Sequence, residues 1–87
     1  MVNRRMSGRQ VLALVRRLAR HKELTLVELR GRGKGSHRLY QLVDADGAEV
    51  VRFGVTDHPG DVSRLVLRRL EERLAPVFGE DWTERER

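Results

Sequence analysis

Cysteine is absent from this chain of 87 residues, and so is any long run of apolar side chains. Without cysteine, a disulfide framework, a thiolate zinc site and a cysteine nucleophile are all excluded. No apolar stretch approaches the roughly 20 residues that a membrane-spanning helix needs, and no apolar segment follows the N-terminal arginines as it would in a signal peptide. The sequence therefore predicts one small cytoplasmic domain with no membrane contact.

Acidic residues are in the minority, and the net charge is +5. The excess of basic residues lies before Pro59, and Lys22 and Lys34 are the only lysines. The planar guanidinium of arginine suits phosphate groups, and a small basic domain favours a nucleic-acid partner. Charge alone leaves a second interpretation open, in which the arginines lie on solvated helix faces.

A first helix is predicted over residues 8–22. Ser7 and Gln10 have the spacing of a capping box at its start. Its apolar residues then recur at the spacing of one helical face, at positions Val11, Leu14, Val15 and Leu18.

The last helix is predicted to begin after Asp61 or Ser63, either of which can act as its N-cap. We expect it to end near Ala75, because the residue before Pro76 disfavours the helical conformation. Residues 77–82 should form a short packed extension. The apolar stripe of this helix comprises Val62, Val66, Leu67, Leu70 and Leu74.

Three strands are predicted between the helices, over residues 24–30, 36–43 and 48–56. An Asp-Gly turn joins the last two, and Gly47 can adopt the positive φ that such a turn needs. The core face predicted for the third strand is Val51, Phe53 and Val55. For the second strand, alternation leaves two sets open: His37, Leu39, Gln41 and Val43, or Arg38, Tyr40 and Leu42.

An antiparallel meander hides one face and exposes the other, and two amphipathic helices are enough to cover the hidden face. The predicted fold is therefore α+β, a two-layer α-β-β-β-α sandwich whose three-stranded antiparallel sheet is covered on one face by two helices. We expect a single domain over residues 7–82, with flexible tails at 1–6 and 83–87.

Short motifs occur in a definite order along this fold. Gly35-Ser36-His37 opens the second strand and is followed by Leu39-Tyr40, Asp46-Gly47 forms the next turn, and His58-Pro59-Gly60 precedes the last helix. Over residues 7–75 this arrangement resembles the HicA family, which are small toxins of type II toxin–antitoxin modules. The resemblance implies a fold like that of double-stranded-RNA-binding domains.

The resemblance also implies an endoribonuclease that cleaves mRNA without a metal or other cofactor and is neutralised by a HicB-type antitoxin. It assigns catalysis to His37, in a chain that is a monomer or a complex with the antitoxin. The chemistry is compatible with the residues. RNA supplies its own nucleophile, the 2′-hydroxyl, and histidine titrates near neutrality, so that it can act as a general acid or base.

The residues predicted to contact RNA or its phosphate are Arg32, Lys34, Gly35, Ser36, Arg38 and His58. Cationic side chains can stabilise the negative charge on phosphorus, and glycine lets the backbone approach a phosphate closely. Ser36 is not a nucleophile paired with His37, because adjacent strand residues point to opposite faces. Tyr40 can either stack on a base or pack in the core. The histidines are scattered, so no metal site is predicted.

Two other functions stay open at this point. One is a non-catalytic module of the same fold that binds double-stranded RNA; such modules usually have a lysine cluster at the start of the last helix, where this chain has Asp61-Val62-Ser63-Arg64. The other is a basic adaptor that binds an acidic partner. In both, His37 could be an ordinary surface residue and the glycine-rich loop a plain hairpin connection.

Overall fold

The computed structural model describes residues 6–30, 37–56 and 60–85. The helices and strands within these ranges follow the order α1 (Gly8–His21), β1 (Thr25–Glu28), β2 (His37–Val43), β3 (Glu49–Thr56), α2 (Arg64–Phe78) and α3 (Trp82–Arg85). The strands form an antiparallel sheet in the order β1-β2-β3. The predicted α+β class and α-β-β-β-α order are confirmed, and α3 is an addition to them.

Serine caps begin both long helices. The Ser7 hydroxyl accepts a hydrogen bond from the Gln10 backbone at 3.2 Å, and the Gln10 side chain accepts one from the Ser7 backbone at 2.8 Å. This is the predicted capping box, which satisfies N–H groups that the first helical turn leaves unpaired. Ser63 caps α2 through Val66, whereas Asp61, the other candidate, forms a β-bridge with Ser7.

One face of the sheet enters the core, and the structure decides which side of β2 it is. Tyr40 and Leu42 on β2 are buried, together with Phe53 and Val55 on β3; we call these four residues the covered face. Tyr40 lies opposite Phe53, and their ring centroids are 5.8 Å apart. Tyr40 is therefore a core residue. Because side chains alternate along a strand, the opposite or open face contains His37, Leu39, Gln41, Arg52 and Gly54.

The turn between β2 and β3 forms as predicted. Gly47 has a φ of +83°, which costs little in a residue without a Cβ atom. Asp44 Oδ1 accepts backbone hydrogen bonds from Asp46 and Ala48 at 2.9 and 3.0 Å, the usual way in which an aspartate stabilises a turn. The turn pairs Val43 with Glu49, and a β-bulge between Leu42 and Val43 then shifts the register by one residue, so that His37 lies opposite Thr56.

Helix α2 does not end near Ala75, so that prediction is wrong. The helix continues through Pro76 to Phe78. The side chains of Leu74 and Phe78 are both buried in the core, and their burial outweighs the local preference against helix before a proline. Gly79 ends the helix with a φ of +94°, and its N–H donates to the Ala75 carbonyl at 2.7 Å.

The predicted packed extension is confirmed, but it includes a residue that we expected to be loose. Trp82 is 1% exposed and Thr83 is fully buried. Trp82 Nε1 donates to the Glu71 carbonyl at 2.9 Å, and the Thr83 hydroxyl donates to the Glu71 carboxylate. The expectation of a flexible tail from residue 83 onward is therefore wrong for Thr83, because these buried bonds hold it against α2. Residues 86–87 lie outside the described ranges.

Met6 also belongs to the folded domain, although we predicted a flexible tail over residues 1–6. Its side chain is 3% exposed, and its carbonyl accepts a hydrogen bond from the Val62 N–H at 2.8 Å. Together with the bridge between Ser7 and Asp61, this bond ties the start of α1 to the chain that leads into α2. Residues 1–5 lie outside the described ranges.

Candidate nucleic-acid site

A cleft of about 430 Å³ lies where α2 passes the edge strand β3. This volume is within the range of sites that bind small ligands. The buried side chains of Phe53 and Leu70 lie at its floor, and exposed side chains that include His37 surround them. The predicted catalytic histidine therefore lines a shallow, open cleft.

The strand side of the cleft comes from the two-residue period of β-structure. His37 and Leu39 on β2, and Arg52 and Gly54 on β3, all belong to the open face and line the cleft. Leu39 lies directly opposite Gly54 in the register. The antiparallel pairing therefore brings a histidine and an arginine together that are 15 residues apart in the chain.

The helix side comes from one stripe of α2. Val66, Arg69, Leu70 and Arg73 have the spacing i, i+3, i+4, i+7, which places them on one helical face, and all four line the cleft. We predicted Val66 as part of the apolar core stripe, but it is 37% exposed. One side of the apolar stripe of α2 is therefore buried in the core, whereas Val66 on its other side lines the cleft.

The His37 ring lies over the backbone of Gly54. A Cβ atom built on Gly54 would be 2.6 Å from His37 Nε2 and 2.8 Å from His37 Cε1, closer than carbon and nitrogen atoms can pack. The next nearest atom would be Leu39 Cδ2 at 3.4 Å. A glycine in the middle of a strand often marks such a close approach. Here the missing side chain leaves the space that the imidazole occupies.

The strand arginine and one helix arginine are held by hydrogen bonds. Arg73 Nε donates to the Arg52 carbonyl at 2.8 Å, which ties α2 to the edge of β3. Arg52 forms an ion pair with Glu49 at 2.9 Å, and the Gln41 amide donates to the same carboxylate oxygen. The hydrogen bond from Arg52, followed by that from Gln41, lowers the pKa of Glu49. Glu49 therefore stays ionised and orients the Arg52 guanidinium.

The lining of the cleft is strongly cationic. It contains Arg52, Arg69 and Arg73 beside His37, and among the residues that the structure describes no carboxylate lines it. Concave sites lined by one sign of charge concentrate ligands of the opposite sign. Within residues 6–30, 37–56 and 60–85 no cluster of three potential metal ligands occurs. The chemistry available at this site is anion binding next to an imidazole.

Arg38 does not lie beside His37. As its neighbour in β2 it points to the opposite face, and its guanidinium forms an ion pair with Glu28 on β1 at 3.0 Å. Strand alternation, which predicts Ser36 on the face opposite His37, predicts the same for Arg38. The structure therefore does not bring together the two described residues that we predicted for the same site. The other predicted contacts (Arg32, Lys34, Gly35, Ser36 and His58) lie outside the described residues.

Sequence reasoning missed the three arginines that line the cleft. The signal for two of them was present, because Arg69 and Arg73 are one helical turn apart and flank the apolar stripe of α2. What the sequence did not show is that this flank of the helix faces the edge of β3 rather than solvent.

No family model, curated protein or solved structure matches the chain. The HicA resemblance therefore rests on the short motifs alone and stays a prediction. Among the helices that the structure describes, none has the length and apolar character needed to cross a membrane.

Proposed function

We propose that this chain is an endoribonuclease in which His37 acts as a general acid or base. The observation that supports the proposal is the position of the His37 ring at a cleft whose described lining includes three arginines. RNA is a polyanion whose phosphates complement such a lining. A histidine next to a bound phosphate has the chemistry that RNA cleavage requires.

Cleavage by this route needs no external nucleophile. The ribose 2′-hydroxyl loses its proton and attacks the adjacent phosphorus, the bond from phosphorus to the 5′-oxygen breaks, and that oxygen takes up a proton. His37 performs one of the two proton transfers, a contribution of about 10²–10⁴-fold for a well-placed group. The arginines stabilise the extra negative charge that develops on the phosphoryl oxygens.

We also propose mRNA as the substrate and a HicB-type antitoxin as the partner, in a cytoplasmic type II toxin–antitoxin system that works without a metal. The order of the motifs around Gly35-Ser36-His37, and their resemblance to HicA, supports this part. If it holds, a small protein encoded beside this chain on the same transcript should restore growth when the two are co-expressed. If growth stays arrested when such a protein is present, the assignment to a toxin–antitoxin system is wrong.

The direct test is His37→Ala, with His21→Ala as the matched control, because His21 is exposed at the end of α1 and does not line the cleft. The parent and the control should cleave RNA and arrest growth. We expect His37→Ala to cleave at least about 10²-fold more slowly and to leave growth unchanged. Equal cleavage by His37→Ala and the parent would show that His37 is not the acid or base.

One observation favours a second candidate, a module that binds RNA without cleaving it. Cleavage requires one proton to leave and another to arrive, and among the described residues His37 is the only ordinary acid–base group that lines the cleft. A pure binding module would bind RNA tightly, lose that affinity steeply as salt rises, and show no cleavage by the parent protein. The same cleavage assay therefore distinguishes the two candidates.

A further inference from the structure

The arginines of the cleft differ in the hydrogen bonds and ion pairs that they form within the protein. Arg52 is paired with Glu49, and Arg73 donates through Nε to the Arg52 carbonyl. Within the part of the chain that the structure describes, no hydrogen bond or ion pair engages the Arg69 guanidinium. Among the arginines of the cleft, Arg69 is thus the one that no described residue engages, whereas Arg73 is engaged through Nε.

Arg69 and Arg73 also repel each other. They are four residues apart on α2 and line the same cleft, and like charges at this spacing destabilise a helix. A phosphate that paired with both guanidinium groups, each of which presents donors in a planar fork, would remove this repulsion. The arrangement is unfavourable in the free protein and becomes favourable when an anion is bound.

The floor of the cleft adds an apolar surface to this cationic rim. Phe53 and Leu70 are buried beneath it, while Leu39 and Val66 are partly exposed beside it. A nucleotide presents the same two halves, a phosphate and a flat base with apolar faces. Proteins that recognise single-stranded RNA take up such unstacked bases, whereas duplex RNA is recognised mostly by its shape and by contacts to 2′-hydroxyls and phosphates across the minor groove.

We propose that the cleft binds a nucleotide of single-stranded RNA, with its phosphate held by Arg69 and Arg73 and its base against Leu39 and Val66. The identity of the ligand as RNA rests on the proposed function, while the assignment of the anchor rests on the cleft alone. Arg52 supports the site by holding Arg73 in place through its carbonyl. The anchoring arginines in this assignment therefore come from α2, whereas Arg38 is paired with Glu28 on the opposite face of the sheet.

The test measures binding separately from cleavage. The probe is a short fluorescent RNA in which every 2′-hydroxyl is methylated, so that it lacks the nucleophile, and its binding is followed by anisotropy over a range of salt concentrations. The variant is Arg69→Gln. Its matched control is Arg68→Gln, which removes the same charge from the next residue of α2, one that is exposed and does not line the cleft.

We expect Arg69→Gln to weaken binding about tenfold, as the loss of a charge-assisted hydrogen bond predicts, and to reduce the slope of log affinity against log salt by about 0.7. Arg68→Gln should stay within about twofold of the parent. Arg69→Lys, which keeps the charge but not the fork, should fall between them. Equal losses in Arg68→Gln and Arg69→Gln, or no loss in either, would overturn the assignment.

Two further measurements sharpen the result. Inorganic phosphate should raise the melting temperature of the parent and leave that of Arg69→Gln unchanged, while the phosphate-free melting temperature of Arg69→Gln should not fall below that of the parent. A duplex probe should bind more weakly than the single strand; tighter binding of the duplex would refute the choice of ligand. If Arg69→Gln loses the probe but the parent cleaves no RNA, the site is supported and the ribonuclease proposal fails.

Discussion

The two faces of the sheet differ in burial and in the residues they carry. On the covered face, Tyr40, Leu42, Phe53 and Val55 are buried by the helices, and their task is to exclude water. On the open face, His37 and Arg52 stay exposed, and Gly54 has no side chain to contribute. The same backbone thus serves two purposes. Burial stabilises one face, whereas the other keeps polar groups in positions where a ligand can reach them.

The strongest way to test this difference uses two leucines of β2 that point in opposite directions. Leu42 is fully buried on the covered face, while Leu39 is half-buried on the open face. We expect Leu42→Ala to lower the free energy of unfolding by about 2–5 kcal/mol and Leu39→Ala by about 1 kcal/mol or less, because less apolar area returns to water. Urea unfolding of the two variants measures the difference. Equal losses would mean that the two faces contribute alike to stability.

A second test asks whether Gly54 positions the His37 ring or stabilises the sheet. Gly54→Ala forces the His37 ring away, because the new Cβ atom would lie 2.6 Å from Nε2. We expect cleavage to fall by about tenfold to a hundredfold through misplacement of the ring, while the melting temperature stays the same or rises, since alanine restricts the unfolded chain more than glycine. RNA cleavage and the NMR signals of the His37 ring report the two effects separately.

The control for Gly54→Ala is the same change in a His37→Ala background. With no ring to displace, Gly54→Ala should leave RNA binding as it is in His37→Ala and should not lower stability. If Gly54→Ala in the parent leaves both the ring signals and cleavage unchanged, Gly54 does not position His37. A loss of folding in both backgrounds would show that Gly54 is needed by the sheet itself.

The smallest effect concerns Glu49, the acidic neighbour of the cleft. Its carboxyl has a pKa below the ordinary 4.5, chiefly because of the hydrogen bond from Arg52. A group whose pKa is lowered by folding stabilises the protein above its unfolded pKa and loses that contribution as pH falls through the folded pKa. Glu49→Gln should therefore flatten the decline of melting temperature as pH falls below the ordinary pKa of 4.5. The effect should be modest, because the pair is exposed to solvent. Identical acid profiles for Glu49→Gln and the parent would contradict this role.

Local rules predicted most of the fold. The capping box at Ser7, the apolar spacing of α1 and the Asp-Gly turn at Gly47 each depend on residues a few positions apart, and each is confirmed. The errors occur where distant residues decide. Helix α2 passes through Pro76 because Leu74 and Phe78 are buried in the core, and Thr83 is ordered because Glu71 accepts its hydrogen bond.

The candidate site was predicted only in part, for the same reason. His37 was identified from its motif, and the structure places it at a cleft. Arg38 was chosen because it is close in sequence, yet strand alternation sends it to the other face and into a pair with Glu28. Arg69 and Arg73 reach the cleft from α2, more than 30 residues further along the chain, and the spacing of residues within one segment does not predict such meetings.

By itself the sequence determined which segments become helices and strands and which residue types are available, because periodicity, caps and turns act over a few residues. Only the tertiary structure decided that Tyr40 and Leu42 face the core, that His37 lies over Gly54, and that α2 turns arginines toward the same cleft. The second strand could satisfy its alternation either way. The helices pack against the face that contains Tyr40 and Leu42. His37 therefore lies on the other face.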